Sequence, residues 1–81
     1  MKVKVILFST YREASGVNHL IVHVSKGTDV MGLFNIVLEK YPMLRKFRKT
    51  ALLAVNQEFV DEDYVLRDGD EVAFMPQMGG G

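Results

Sequence analysis

The chain has 81 residues, no cysteine, and ten basic residues balanced by ten acidic ones. This length allows one domain with a single modest core, and the missing thiols exclude a disulfide framework, cysteine-ligated metal sites and thiol catalysis. We find neither a signal peptide with a cleavage site nor an apolar stretch long enough to span a bilayer, so we expect a cytoplasmic protein without a membrane partner.

Two strands are predicted in the first third of the chain. Their patterns cover Lys2–Phe8 and His19–Val24, where alternate side chains are apolar and can share one face of a sheet. Residues 9–18 between them predict a loop with room for one helical turn at Tyr11–Ala14.

One helix follows these strands. Apolar residues recur with helical spacing at Val30, Leu33, Phe34, Val37, Leu38 and Tyr41. Thr28 is the expected N-cap, Asp29 favours the helix N-terminus through the helix dipole, and Pro42 ends the helix.

The second half of the chain predicts three more strands after a basic connector. The connector is residues 42–50, and the turn at 67–70 contains a glycine that can adopt positive φ. The predicted strands are Ala51–Val55, Phe59–Val60 and Glu71–Met75, with a turn at Asn56–Glu58. One helix stripe and one sheet face must cover each other, so the fold class is α+β with the other sheet face open to water.

Alternation along the strands predicts which apolar residues lie on that open face. Val3, Val5, Leu7, Val72 and Phe74 are assigned to the helix side. The residues assigned to the opposite side are Ile6, Phe8, Ala73 and Met75, with Phe59 as a candidate to join them. Such a patch often marks a protein interface; the alternative is that an edge loop or the strand twist covers it.

Charged and catalytic residue types form no convincing enzyme site. His19 and His23 lie too far apart along one strand to bind one ion, and the acidic run 61–63 lacks the spacing of a calcium loop. Charge is uneven, because residues 1–50 contain nine basic and three acidic residues whereas residues 51–81 contain one and seven. Arg45–Lys49 is the best nucleic-acid candidate, but nucleic-acid domains usually carry net positive charge. We therefore expect neither a metal nor a nucleic-acid partner.

The chain closes with Gln77–Gly81, of which the last three residues are glycine. Glycines have no side chains and can pass through a narrow channel, and a terminal segment without packing residues is expected to be flexible. A partner that converts the terminal carboxylate into an acyl-adenylate would make it reactive toward sulfide or an amine. The tail is therefore predicted to be a substrate and not a catalyst.

The residues "VNQ", "DGDEV", "F", "P" and "GG", which occur in order within Leu52–Gly81, carry a resemblance to a known family. With them, "ILFSTYREASG" at Ile6–Gly16 resembles the first strand and turn of the sulfur-carrying small subunits of molybdopterin synthase, in the ubiquitin-like β-grasp family. The resemblance implies a mixed sheet of four to five strands with one main helix on one face. It also implies a β-grasp domain at 1–76 and a flexible Gly-Gly tail at 77–81.

The resemblance further implies a mechanism in which this chain alone has no activity and binds no cofactor. An E1-like activating enzyme uses ATP to adenylate Gly81, and a sulfur donor protein converts the carboxylate into a thiocarboxylate. The tail formed by Gly79, Gly80 and Gly81 next inserts into the large subunit. The large subunit of molybdopterin synthase then uses that sulfur to build molybdopterin. The partner-binding residues implied by the resemblance and the patch are Phe8, Phe59, Met75, Pro76 and Met78.

Three alternatives share some of these features. A related carrier could serve thiamine synthesis or tRNA thiolation, a ubiquitin-like modifier could be conjugated to lysines through the same glycine, and an interaction module could carry an incidental tail. Activation chemistry is common to the first two and to the sulfur carrier, so the sequence does not separate carrier from modifier.

Overall fold

The computed structural model describes residues 1–76, except for the side chain of Thr50. The strands are Lys2–Leu7 (β1), His19–His23 (β2), Ala51–Val55 (β3), Glu58–Phe59 (β4) and Glu71–Pro76 (β5). The helices are Ser9–Ser15 (α1), Val30–Lys40 (α2) and the 3-10 helix Pro42–Thr50. None of these helices is long and apolar enough to cross a membrane.

The strands form one mixed sheet in the order β2-β1-β5-β3-β4. β1 and β5 pair in parallel at its centre, and the neighbouring pairs are antiparallel. This confirms the predicted α+β class and the predicted mixed sheet with one main helix. The two strands farthest apart in the chain thus meet in the middle of the sheet.

The core lies between α2 and one face of this sheet. Predicted helix-side residues Val3, Val5, Leu7, Val72 and Phe74 are all buried. Five residues of the predicted α2 stripe are buried as well: Val30, Leu33, Phe34, Val37 and Leu38. The rings of Phe34 and Phe74 lie 4.7 Å apart between centroids, so the assignment of strand faces by alternation is confirmed.

The N-cap prediction for α2 is wrong by one residue. Asp29 and not Thr28 is the cap, and its Oδ1 accepts a hydrogen bond of 2.8 Å from the backbone N–H of Gly32. The Thr28 carbonyl instead accepts from the N–H of Leu66 at 2.9 Å. Because this bond and the bridge between Asp29 and Val65 hold the chain before the helix, the helix begins one residue later than expected.

Two segments that were predicted to be irregular are helical. Residues 9–18, predicted as a loop with one helical turn, contain the helix α1, which buries Tyr11 completely. The basic connector forms a 3-10 helix that buries Leu44. These two helices pack together, since the hydroxyl of Tyr11 donates a 3.0 Å hydrogen bond to the carbonyl of Phe47 and their rings meet edge-on at 5.4 Å. Burial raises the pKa of Tyr11 to about 12.

Candidate docking surface

The sheet face opposite α2 carries an apolar row that runs across four strands. Ile6 pairs with Ala73, Ala73 with Ala54, and Ala54 with Phe59. Residues that face each other on neighbouring strands share one side of the sheet. The row therefore brings together side chains from distant parts of the chain.

A second row lies one step farther toward the end of β5. Met75 pairs with Leu52, and Phe8 directly follows the pair formed by Leu7 and Phe74. We name the combined surface the apolar face: Ile6, Phe8, Ala54, Phe59, Ala73 and Met75. Together with Gln57 and Glu71 these residues line an open groove of about 300 Å³.

The apolar face is exposed to solvent in the described part of the chain. Phe59 is 72% exposed and Phe8 is 42% exposed, which is unusual for large aromatic side chains in so small a domain. The alternative that an edge loop or the strand twist covers both rings is therefore wrong. The sequence placed the five predicted patch residues on one surface, although it did not identify Ala54, whose small side chain forms the floor of the groove.

The orientation of Phe8 is set by the junction between β1 and α1. Its N–H continues the sheet pairing by donating to the carbonyl of Phe74 at 3.1 Å, and its own carbonyl accepts from Tyr11 at 3.0 Å. Ser9 adopts a left-handed conformation with φ of 46°, so the chain turns sharply immediately after Phe8. This turn keeps Phe8 on the open face while Tyr11 enters the core.

The orientation of Phe59 is set by the tight turn between β3 and β4. Asn56 and Gln57 form this turn with φ values of 52° and 72°, and two successive left-handed residues match the twist of a hairpin. The short strand predicted at Phe59–Val60 lies one residue earlier, at Glu58–Phe59. This register pairs Phe59 with Ala54.

Asn56 and Asp70 tie that turn to the start of β5. The two carboxylate oxygens of buried Asp70 accept from the Asn56 side-chain amide at 3.0 Å and from the Arg67 N–H at 2.8 Å. The Asn56 amide oxygen accepts from the N–H of Glu71 at 3.1 Å. The "VNQ" and "DGDEV" motifs that carried the family resemblance therefore act structurally, by joining the hairpin that holds Phe59 to the central strand.

The first residues of β1 are held by the turn at 67–70, which precedes β5. Gly69, which has a φ of 84°, donates its N–H to the carbonyl of Lys2 at 2.8 Å, and Lys4 donates to the carbonyl of Asp70 at 2.9 Å. Asp68 accepts from the N–H of Lys2 at 2.8 Å. The sequence predicted the turn and the positive φ of its glycine, but gave no sign of these contacts with β1.

Pro76 ends the described chain beside the apolar face. It pairs with Ala51 and follows Met75 directly, so the described chain stops at this end of the sheet. The predicted partner-binding residue Met78 and the predicted reactive residues Gly79, Gly80 and Gly81 lie outside the described residues. Their roles, and the division of the chain after residue 76, stay predictions.

The histidines and the acidic run do not come together as a metal site within residues 1–76. His19 and His23 are exposed, and so are all three residues of the acidic run at 61–63. No group of three or more potential ligands suited to a metal ion occurs in this part of the chain. The described residues instead bring together an apolar face whose aromatic side chains are held in place by tight turns, which is typical of a surface for binding a protein.

Comparison with known proteins gives consistent matches over the full length. Residues 5–81 match the ThiS family. The molybdopterin synthase sulfur carrier subunit of Mycobacterium tuberculosis is 44% identical, with all of this chain and 99% of that protein aligned. The protein of the same name from Chlamydomonas reinhardtii is 36% identical over the whole of both chains.

Two solved structures confirm the fold. The putative molybdopterin converting factor subunit 1 of Pyrococcus furiosus has a TM-score of 0.81 at 27% identity, over 95% of this chain and 98% of that chain. The small archaeal modifier protein 1 of Methanosarcina acetivorans has a TM-score of 0.84 at 26% identity, over 99% of this chain and 96% of that chain. Both likenesses cover at least 95% of this chain.

Proposed function

Because the chain belongs to the ThiS family, we infer that it is a sulfur carrier that acts as the small subunit of molybdopterin synthase. The observation that carries this inference is the 44% identity, over essentially both full lengths, with a molybdopterin synthase sulfur carrier subunit. The open apolar face supports it, because a carrier must dock on the enzymes that load and unload it.

We propose that the reactive group is the carboxylate of Gly81. An E1-like activating enzyme joins this carboxylate to the adenylyl group of ATP and releases pyrophosphate. Sulfide delivered by a sulfur donor protein then attacks the acyl carbon and displaces AMP, which leaves a thiocarboxylate at Gly81. The domain itself supplies no acid, base or cofactor to these steps; it presents the tail.

We propose the large subunit of molybdopterin synthase as the partner that receives this sulfur. Phe8 and Phe59 are exposed aromatic side chains at the edges of one groove, and exposed aromatics of this kind commonly anchor protein interfaces. Pro76 is the last residue of β5 and directly follows Met75, so a partner that covers the apolar face is also placed next to the start of the tail. The cytoplasmic location expected from the sequence stays a prediction.

Intact mass spectrometry of the protein isolated from its own host tests this function. We expect a fraction whose mass corresponds to exchange of one carboxylate oxygen for sulfur. A truncated chain without Gly80 and Gly81 should lose that fraction and all sulfur transfer to the large subunit, while its circular dichroism spectrum stays unchanged. Sulfur transfer by the truncated chain would refute the proposal.

A second candidate function is conjugation to lysines as a protein modifier. It is favoured by the likeness to the small archaeal modifier protein 1 of Methanosarcina acetivorans, at 26% identity. A modifier and a carrier both need an activated terminal glycine, but only the modifier forms isopeptide bonds. Peptides from host proteins that carry a Gly-Gly remnant of this chain on lysine would establish the second function.

A further inference from the structure

The 3-10 helix Pro42–Thr50 separates apolar and charged residues by a period of three. Leu44 is buried and Phe47 is half-buried, whereas the cations around them are exposed. A 3-10 helix completes one turn every three residues, so these cations project together from its outward side. We name them the cationic face: Arg45, Lys46, Arg48 and Lys49.

This helix is firmly attached to the domain. Leu44 is fully buried in the core, and the Phe47 carbonyl accepts the hydroxyl hydrogen bond of buried Tyr11 at 3.0 Å. The cations therefore extend from a fixed backbone. A pre-organised charge cluster loses less conformational entropy on binding than one carried by a mobile loop.

The four cations have no carboxylate partner within residues 1–76. Arg48 contacts the sulfur of Met31 at 3.4 Å, and the ammonium group of Lys46 lies 5.2 Å from the ring centre of Phe47. Neither contact neutralises a charge. Four cations in five positions repel one another at close range, so an anionic partner would relieve this repulsion.

Two of the cations border a cavity that can accept an anion. Arg45 and Arg48 line an open cavity of about 480 Å³ at the junction with α2, together with Asn35, Leu38 and Glu39. Guanidinium groups bind carboxylates through paired hydrogen bonds, and the Asn35 amide is a further donor. Glu39 lines the same cavity and offsets part of this positive charge, so the two arginines leave room for one added carboxylate and not for a dense polyanion.

The cationic face lies at the end of the sheet from which the tail leaves. Thr50 is followed by Ala51, which pairs with Pro76. Lys2 lies at the opposite end, because Lys4 of the same strand pairs with Glu71, the first residue of β5. A partner that takes up residues 77–81 must therefore approach the cationic face.

We propose that the cationic face is a second contact with the large subunit of molybdopterin synthase, where it receives a carboxylate-rich surface near the entrance for the tail. This proposal rests on the proposed function, because that function brings the large subunit to the tail. A nucleic acid is the less suitable partner, because nucleic-acid domains usually carry net positive charge and this chain has none. The acidic run 61–63 also borders β3, the strand that follows the cationic face.

Stopped-flow association of this chain with the large subunit from the same organism tests the proposal. The variant Arg45→Gln/Arg48→Gln should associate about tenfold more slowly at low ionic strength, and the difference should shrink at high salt, because steering by surface charge is screened. The matched control Lys2→Gln/Lys26→Gln removes the same charge at the other end of the sheet and should change the rate less than about twofold. Equal rates for the two variants would overturn the proposal.

A second variant and a second ligand complete the test. Lys46→Gln/Lys49→Gln leaves the Met31 contact intact and should also slow association, so the test does not depend on the folding of the arginine variant. If the wild-type chain forms no complex with the large subunit, the proposed function itself fails; if it binds and all variants bind alike, only the cationic contact fails. Loss of binding to host tRNA in fluorescence anisotropy, with protein association unchanged, would also overturn it.

Discussion

Replacing Tyr11 by phenylalanine should change the stability of the domain in opposite directions at neutral and at high pH. The hydroxyl of this fully buried residue donates a 3.0 Å hydrogen bond to the carbonyl of Phe47. At pH 8 the hydroxyl is protonated in the folded and unfolded states alike. The variant loses this hydrogen bond, so the free energy of unfolding should fall by about 1.5 kcal/mol.

The effect reverses in alkaline solution because burial raises the pKa of Tyr11 from 10.0 to about 12. The folded state holds its proton more tightly than the unfolded state, so this stabilisation is complete below pH 10 and is lost as the pH rises toward 12. By the linkage relation, the wild-type free energy of unfolding falls by about 1.4 kcal/mol at pH 11 and by about 2.3 kcal/mol at pH 12, relative to its value below pH 10. Phenylalanine does not titrate, so the two proteins should be equally stable near pH 11.

Urea unfolding followed by circular dichroism between pH 8 and pH 12 measures both effects. Other groups titrate in this range, but they are common to both proteins and cancel in the difference. Exposed Val65→Ala, which changes no ionisable group, is the control, and its difference from wild type should stay constant across this pH range. A difference between wild type and Tyr11→Phe that is constant across this pH range would refute the reasoning.

Three other substitutions test the docking surface and the turns. Phe59→Ala removes a 72% exposed ring and should weaken binding to the large subunit about tenfold or more at nearly unchanged stability. Exposed Val65→Ala is the control, and unchanged binding of Phe59→Ala would contradict a docking role. Asp70→Ala leaves two donors without their acceptor and should lower the free energy of unfolding by about 3 kcal/mol in urea, whereas a loss below about 1 kcal/mol would show that these bonds contribute little. Gly69→Ala, with φ of 84° and no atom within 4 Å of the added carbon, should cost about 1 kcal/mol in thermal unfolding, and an unchanged melting temperature would contradict the backbone strain.

The strands and their faces could be predicted because a buried strand face needs apolar residues only at alternate positions. A few consecutive residues are enough to reveal that pattern. Alternation in β1 and β5 placed Val5 and Val72 in the core and Phe8 and Met75 on the open face, and both assignments are confirmed. The apolar stripe of α2, which starts at Val30, could likewise be recognised without knowing which strands the helix packs against. The surface proposed for docking was therefore accessible from local pattern alone.

The errors arose where distant contacts determine local structure. Nothing near Tyr11 in the sequence indicates that its hydroxyl will meet Phe47, which lies 36 positions away, so only one helical turn within a loop was predicted where α1 forms. Asn56 and Asp70, 14 positions apart, look like two independent turn residues until the sheet brings them together. The cap shifted from Thr28 to Asp29 because β-bridging to Val65 holds the preceding chain.

The parallel pairing of β1 with β5 has a consequence for biosynthesis. Until residues 71–76 have left the ribosome, the nascent chain lacks the strand that pairs with both β1 and β3, so the sheet has no centre and cannot close. A chain interrupted before that point would expose Val5 and Leu7 to proteases and chaperones. Cellular quality control would therefore retain finished copies selectively, and a folded domain would signify that translation has reached the last strand before the glycines.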